Sequence, residues 1–212
     1  MFDVFDNLDT ISAEAIASWL KPVPQLTQIE NYLANKILYP GTLPQTEYEM
    51  QMDLGILREV LKINAPKSPN ALLGNNPFIN STLRKIIIPA KFLNFVPNLK
   101  ILAWIFIDAF LRERQEKDFF TDLWTIVLAD DADETVGSLI LPEFDESFGV
   151  MNLTVLGREY EIRPGSLNII PCLKERCEIL YKIRSGKVLG KSENAVEVSG
   201  GKLGLLVDGR KR

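Results

Sequence analysis

Histidine is absent from the 212 residues. Its absence removes the Ser-His and Cys-His nucleophile pairs, the usual neutral-pH general base and the commonest zinc ligand. Carboxylates, thiols and cations remain. Asp130, Asp131, Asp133 and Glu134 crowd into five positions. Hard cations such as calcium or magnesium take several oxygens, but the twelve-residue calcium loop with its central Gly is missing, so a solvated loop is the simpler reading. Glu143, Asp145 and Glu146 could supply a catalytic carboxylate pair, although exposed charge at a strand edge explains them with fewer assumptions. Cys172 and Cys177, in "CLKERC", are too few for a disulfide scaffold and lack the companions of a zinc site. They read as small core residues or a chance pair.

Two Gly-rich stretches invite a phosphate-binding reading. "SGKVLGKS", Ser185 to Ser192, puts Gly190, Lys191 and Ser192 after Gly186, one residue short of the Walker spacing and in a β context, and "SGGKLG" lacks the pattern altogether. No cofactor is expected. Basic residues are dense after position 150, and Arg163, Arg184, Lys187 and Lys191 are the set that could follow a nucleic-acid backbone or meet an acidic partner. Tyr160 and Tyr181 are the only rings nearby, few for a single-strand binder. At the other end, Phe2, Phe5 and Leu8 are apolar residues spaced by acidic ones, suited to packing on their own core or in a partner's groove.

The elements that must hold these groups fall into two regions. Residues 1–130 read as helical, and 131–212 as a small β-barrel or β-sandwich, an α+β chain. Asp9 or Thr10 can cap a first helix that "KPVP" ends. A second takes Leu26, Ile29, Leu33 and Ile37 as its apolar face. "TEYE" is a capping box for a third, with Met50, Leu54, Leu57 and Leu61 as its stripe. The Pro- and Asn-rich run from Asn64 to Phe78 reads as a long connection, and after Pro97 an almost wholly apolar stretch reads as an enclosed helix.

Charge alternates in blocks: net −6 over residues 1–60, +5 over 61–120, −8 over 121–150 and +5 thereafter. Such blocks serve internal pairing or separate docking faces. The first twenty residues carry no basic side chain, unlike a cleaved secretory signal, and no apolar run approaches the roughly 20 residues of a spanning helix, so a cytoplasmic protein is expected. Peripheral membrane association stays open.

Beyond Ala129 the apolar period drops from about 3.6 to 2. Short runs such as "GVMNLTVLG", "CEILYKIRSG" and "KLGLLVDG" read as strands. "YEIRPGSL" from Tyr160 and "YKIRSGKV" from Tyr181 write one pattern twice, a strand leaving through a Gly turn.

Residues from about 165 to 212 resemble the terminal β module of the glutamate-mutase-associated protein family, through Gly200, Gly201, Gly204, Leu205, Asp208, Arg210 and Arg212, with a similar upstream "PGSLNIIP". The resemblance implies a small appended β module. It carries no ATP binding with it, because residues 1–130 do not match the family's actin-like region. With no complete catalytic motif, the expectation is a non-catalytic structural or adaptor subunit that docks on other protein subunits. A nucleic-acid binder and a carboxylate- or metal-dependent enzyme are the alternatives.

Overall fold

The computed structural model describes residues 8–64, 85–94, 96–111, 123–129 and 134–210. The chain divides into two compact units, one containing the described α-helices and the other the strands.

In the helical unit, α1 (Ala13–Ala17) is capped by Ser12 and not by Asp9 or Thr10, because Leu8–Thr10 forms a 3-10 turn of its own. Ser12 Oγ accepts the Ala15 amide at 3.2 Å. In α2 (Leu26–Leu38), Ile29 and Leu33 are buried as the pattern predicts, but the third buried position is Lys36, while Leu26 and Ile37 are exposed. The spacing 29, 33, 36 is one helical ridge. α3 (Glu47–Asn64) starts with the predicted capping box: Thr46 Oγ1 accepts the Glu49 amide at 3.1 Å, and Glu49 Oε2 accepts that of Thr46 at 3.2 Å. Its buried face holds Met52, Ile56, Leu57, Val60 and Leu61. α4 (Leu99–Leu111) is capped by Asn98, whose Oδ1 accepts the amides of Lys100 and Ile101, and it packs on α3. Leu102, Ile105, Phe106 and Ile107 bury most of its circumference.

Two strands lie in the stretch that reads as helical. β1 (Lys85–Pro89) and β2 (Leu123–Ala129) pair in parallel, Ile86 opposite Ile126 and Ile87 opposite Val127. The physical reason is composition: Ile86–Ile88 and Thr125–Val127 are runs of β-branched residues, which lose side-chain freedom in a helix and fit a pleated surface. β3 (Glu134–Ile140), β4 (Glu143–Phe144), β5 (Val150–Val155), β6 (Arg158–Ile162), β7 (Leu167–Ile170), β8 (Arg176–Arg184), β9 (Gly186–Lys187), β10 (Glu193–Ser199) and β11 (Gly204–Asp208) complete the unit.

These strands form a five-stranded sheet, β1-β2-β3-β11-β7, a four-stranded antiparallel sheet, β10-β8-β5-β6, and the pair β4-β9. No closed barrel is found among the described residues. Both larger sheets feed one core: Ile140, Ile170, Leu205 and Val207 from the first meet Met151, Leu153, Ile179 and Ile183 from the second. β8 shows why, turning Cys177, Ile179, Tyr181 and Ile183 inward and every intervening residue outward.

The repeated octet has a definite geometry. Tyr160 and Tyr181 both stand opposite Leu153, and Ile162 and Ile183 both stand opposite Met151. The two copies are therefore β6 and β8, flanking β5 in the same register. Their exits differ: Gly165, at φ +81°, leads into β7, whereas Ser185, at φ +60°, leads into β9.

Cys172 and Cys177 are both buried, as small core residues would be, and they are also joined by a disulfide that closes the link from β7 to β8. The neighbouring turn from β10 to β11 lies against it. A Cβ at Gly200 would meet the carbonyl oxygens of Cys172 and Lys174. Gly204 has φ +79°, and a Cβ there would meet the Ile170 carbonyl oxygen. Gly200 and Gly204 are thus required by backbone passing backbone.

Gly204→Ala is expected to cost about 3 kcal/mol, strain and clash together, read as a lower urea midpoint with an unchanged slope. Alkylation of the denatured, unreduced protein should leave both cysteines unmodified until dithiothreitol is added. Opening so short a loop should remove about 2 kcal/mol of stability.

Candidate functional site

The residues that sequence patterns single out for partner binding are spread over the molecule. Phe2 and Phe5 lie outside the described residues, as do 65–78 of the predicted connection and Asp130, Asp131 and Asp133 of the acidic run. Leu8 is buried in the helical core beside Ile11 and Ile16. Arg184 stands opposite Val150, and Arg163 directly follows Ile162, the partner of Met151. The repeat thus brings both arginines to one end of β5, where each is exposed. Lys187 is opposite Glu143 and pairs with it at 3.3 Å. Lys191 closes a turn with Val188, in which Leu189 and Gly190 both have positive φ. That geometry makes "SGKVLGKS" a β-turn segment, without the strand-to-helix loop that cradles phosphate.

Several of these cations are already matched. Arg163 pairs with Glu161 at 2.7 Å, Arg176 with Glu197, Lys182 with Glu193, Lys202 with Glu134 at 2.9 Å, and Arg210 with Asp208 through two hydrogen bonds. The Glu134–Lys202 and Glu143–Lys187 pairs join the acidic block to the basic one within the strand unit. Among the described residues, no cluster of three or more Cys, Asp and Glu could hold a metal ion. No described helix is long and apolar enough to cross a membrane.

The most constructed site is one that sequence patterns do not reveal. Lys36 is 2% exposed, and its Nζ donates to Asp53 Oδ2 at 2.8 Å and to the Thr42 carbonyl. Tyr32 donates its hydroxyl to Asp53 Oδ1 at 2.9 Å. Burial, then the Asp53 hydrogen bond and the charges of Asp53 and Glu49, push the Tyr32 phenol far above its usual range, so it stays a proton donor at any ordinary pH. Thr42 in turn donates its amide and hydroxyl to the Tyr39 carbonyl at 3.0 and 2.8 Å. These bonds tie the end of α2, the following turn and α3 into one knot. Outside the knot stand Leu38, Tyr39 and Leu43, 71%, 64% and 68% exposed, with Ile37 beside them. Large apolar side chains left in water at the ends of a fixed turn form a shelf suited to another apolar surface.

A second buried charge group ties the turn after α1 to α3 and α4. The Arg58 guanidinium lies 3.5 Å from the Trp19 ring centroid, bonds Glu59 at 2.9 Å and approaches Asp108 at 4.0 Å. Trp19 also packs against Trp104. Stacking on a ring and two carboxylates suits a buried guanidinium, which explains the charged positions on otherwise apolar helix faces. The signals for both groups are weak in a sequence: a cation at an apolar ridge position and a carboxylate far along the chain.

In comparisons with known proteins, no family model, no curated protein and no solved structure matches this chain.

Asp53→Ala should leave the Lys36 ammonium buried without its carboxylate and cost about 3 kcal/mol in a denaturant titration. Replacing Lys36 and Asp53 together by Met and Leu should recover most of that loss, since an ion pair of this kind adds little over an apolar pair.

Proposed function

We propose that the chain is a non-catalytic structural or adaptor component of a larger protein assembly, docking through surfaces of its helical and β regions. The observation that carries this reading is the pinned shelf. A buried Lys36–Asp53–Tyr32 knot fixes the connection from α2 to α3, and that connection leaves Leu38, Tyr39 and Leu43 in water. An exposed apolar turn on a rigid base costs solubility and returns nothing to folding, which makes a partner the simplest explanation. In the same reading the strand unit is a two-sheet sandwich after a helical region, and residues from about 165 to 212 serve as an appended module, as their resemblance to the glutamate-mutase-associated family's terminal module implies.

Nucleic acid is the second reading, favoured by Arg163 and Arg184 reaching one end of β5. The carboxylates interleaved with these cations, Glu161 and Glu143 among them, weaken the field a phosphate backbone would feel.

The test is the native mass of the tagged full chain, purified gently from its own cells. The wild type should travel in a larger particle with fixed partners. The triple variant Leu38→Ser, Tyr39→Ser, Leu43→Ser should keep its melting temperature and leave that particle. A lone wild-type monomer would sink the assembly reading. Salt-sensitive binding to single-stranded nucleic acid, lost when Arg163, Arg184, Lys187 and Lys191 are neutralised together, would replace it with the second.

A further inference from the structure

The charges of the chain stretch that carries the shelf are one-sided once burial is counted. Between Pro22 and Asp53 the charged residues are Glu30, Lys36, Glu47, Glu49 and Asp53. The only cation among them, Lys36, is buried and bonded to Asp53 and the Thr42 carbonyl. Glu30 and Glu47 are exposed, and Glu49 accepts the Gln45 and Thr46 amides at the start of α3. The nearest preceding cation, Lys21, lies beyond the far end of α2, a helix about 20 Å long by its residue count. The stretch that carries Leu38, Tyr39 and Leu43 is therefore acidic and holds no exposed cation.

We infer that the shelf takes a basic amphipathic segment of a partner polypeptide, with Leu- or Ile-type side chains at helical spacing seated on Leu38, Tyr39 and Leu43 and flanking Lys or Arg facing Glu30, Glu47 and Glu49. This rests on the docking reading and names the chemistry of its partner. The charge pattern selects among occupants. Phosphate, whether of nucleic acid or of an anionic bilayer, meets like charge at this face. A second copy of the chain would set acidic surroundings against acidic surroundings. A basic helix gains at both levels, burying apolar surface at the centre and pairing charge at the edge, where the pairing governs on-rate and choice of partner.

The probe is a labelled model peptide of about five helical turns that repeats Leu and Lys at amphipathic spacing, with a Leu/Glu peptide of the same pattern and a scrambled Leu/Lys peptide as controls. Anisotropy titrations with the full chain should show the Leu/Lys peptide binding at least about tenfold more tightly than either control, and more weakly as salt rises. Glu30→Gln with Glu47→Gln should weaken it severalfold without changing the melting temperature, and the triple Ser variant of the shelf should abolish it. Equal binding of the Leu/Glu peptide, or binding that survives the triple Ser variant, would overturn the inference. So would capture by anionic vesicles that depends on the shelf. If the wild type travels in a particle that the shelf variant leaves, yet the Leu/Lys peptide does not bind, the docking reading stands and the basic partner falls. Peptide binding by a chain that is monomeric in its own cells supports the partner chemistry and removes the stable assembly.

Discussion

An ammonium taken out of water must be met by a carboxylate and by further acceptors, and in the helical unit that requirement falls on Lys36. It is satisfied by Asp53 from α3 and by the Thr42 carbonyl from the turn between the helices. The cation therefore determines how α2 hands the chain to α3. Tyr32, one turn earlier on α2, holds the second oxygen of the same carboxylate, so the knot resists rotation of Asp53 as well as its withdrawal. Arg58 plays the equivalent part farther along α3, between Trp19 and the carboxylates of Glu59 and Asp108. These polar ties choose one packing among several that hydrophobic burial alone would allow.

The strand unit solves a different problem, fitting backbone against backbone. Its two large sheets share a core of Ile, Leu and Val, and the disulfide-closed link from β7 to β8 lies under the turn from β10 to β11. Side chains at Gly200 or Gly204 would enter carbonyl oxygens of that link or of β7. Cation and carboxylate alternate over the outer surface as ion pairs such as Lys182–Glu193 and Arg176–Glu197, consistent with a face turned to water. Exposed pairs of this kind contribute little to stability, and their main effect is to mix the two signs of charge over the surface.

Much of this is legible in the residues. β8 alternates so regularly that its inward set can be read directly, and Thr46 with Glu49 marks the start of α3 from the sequence alone. β1 and β2 are harder to see, because Pro89 and Pro97 look like breaks between helices and the β-branched runs Ile86–Ile88 and Thr125–Val127 are short within a stretch that otherwise reads as helical. The shelf is hidden for another reason. Lys36 sits on an apolar ridge, but a buried cation becomes credible only with its carboxylate, and that carboxylate is seventeen residues away. Arg163 and Arg184 stand out as cations in the chain, yet their meeting at one end of β5 comes from a shared register that no local pattern encodes.

The duplicated octet has a consequence for how the strand unit assembles. β5 has two edges, and β6 and β8 present the same Tyr, Ile and Arg positions to it, so those positions alone do not say which copy belongs on which edge. Connection does: β6 follows β5 after only Leu156 and Gly157, both at positive φ, whereas β8 returns to β5 from β7. The segments after the copies differ as well: Tyr181 donates its buried hydroxyl to the Val188 carbonyl beyond its own exit, whereas Tyr160 is only half-buried. The edge that each copy takes is therefore set by the connections before and after it, and not by the Tyr, Ile and Arg positions that the two copies share.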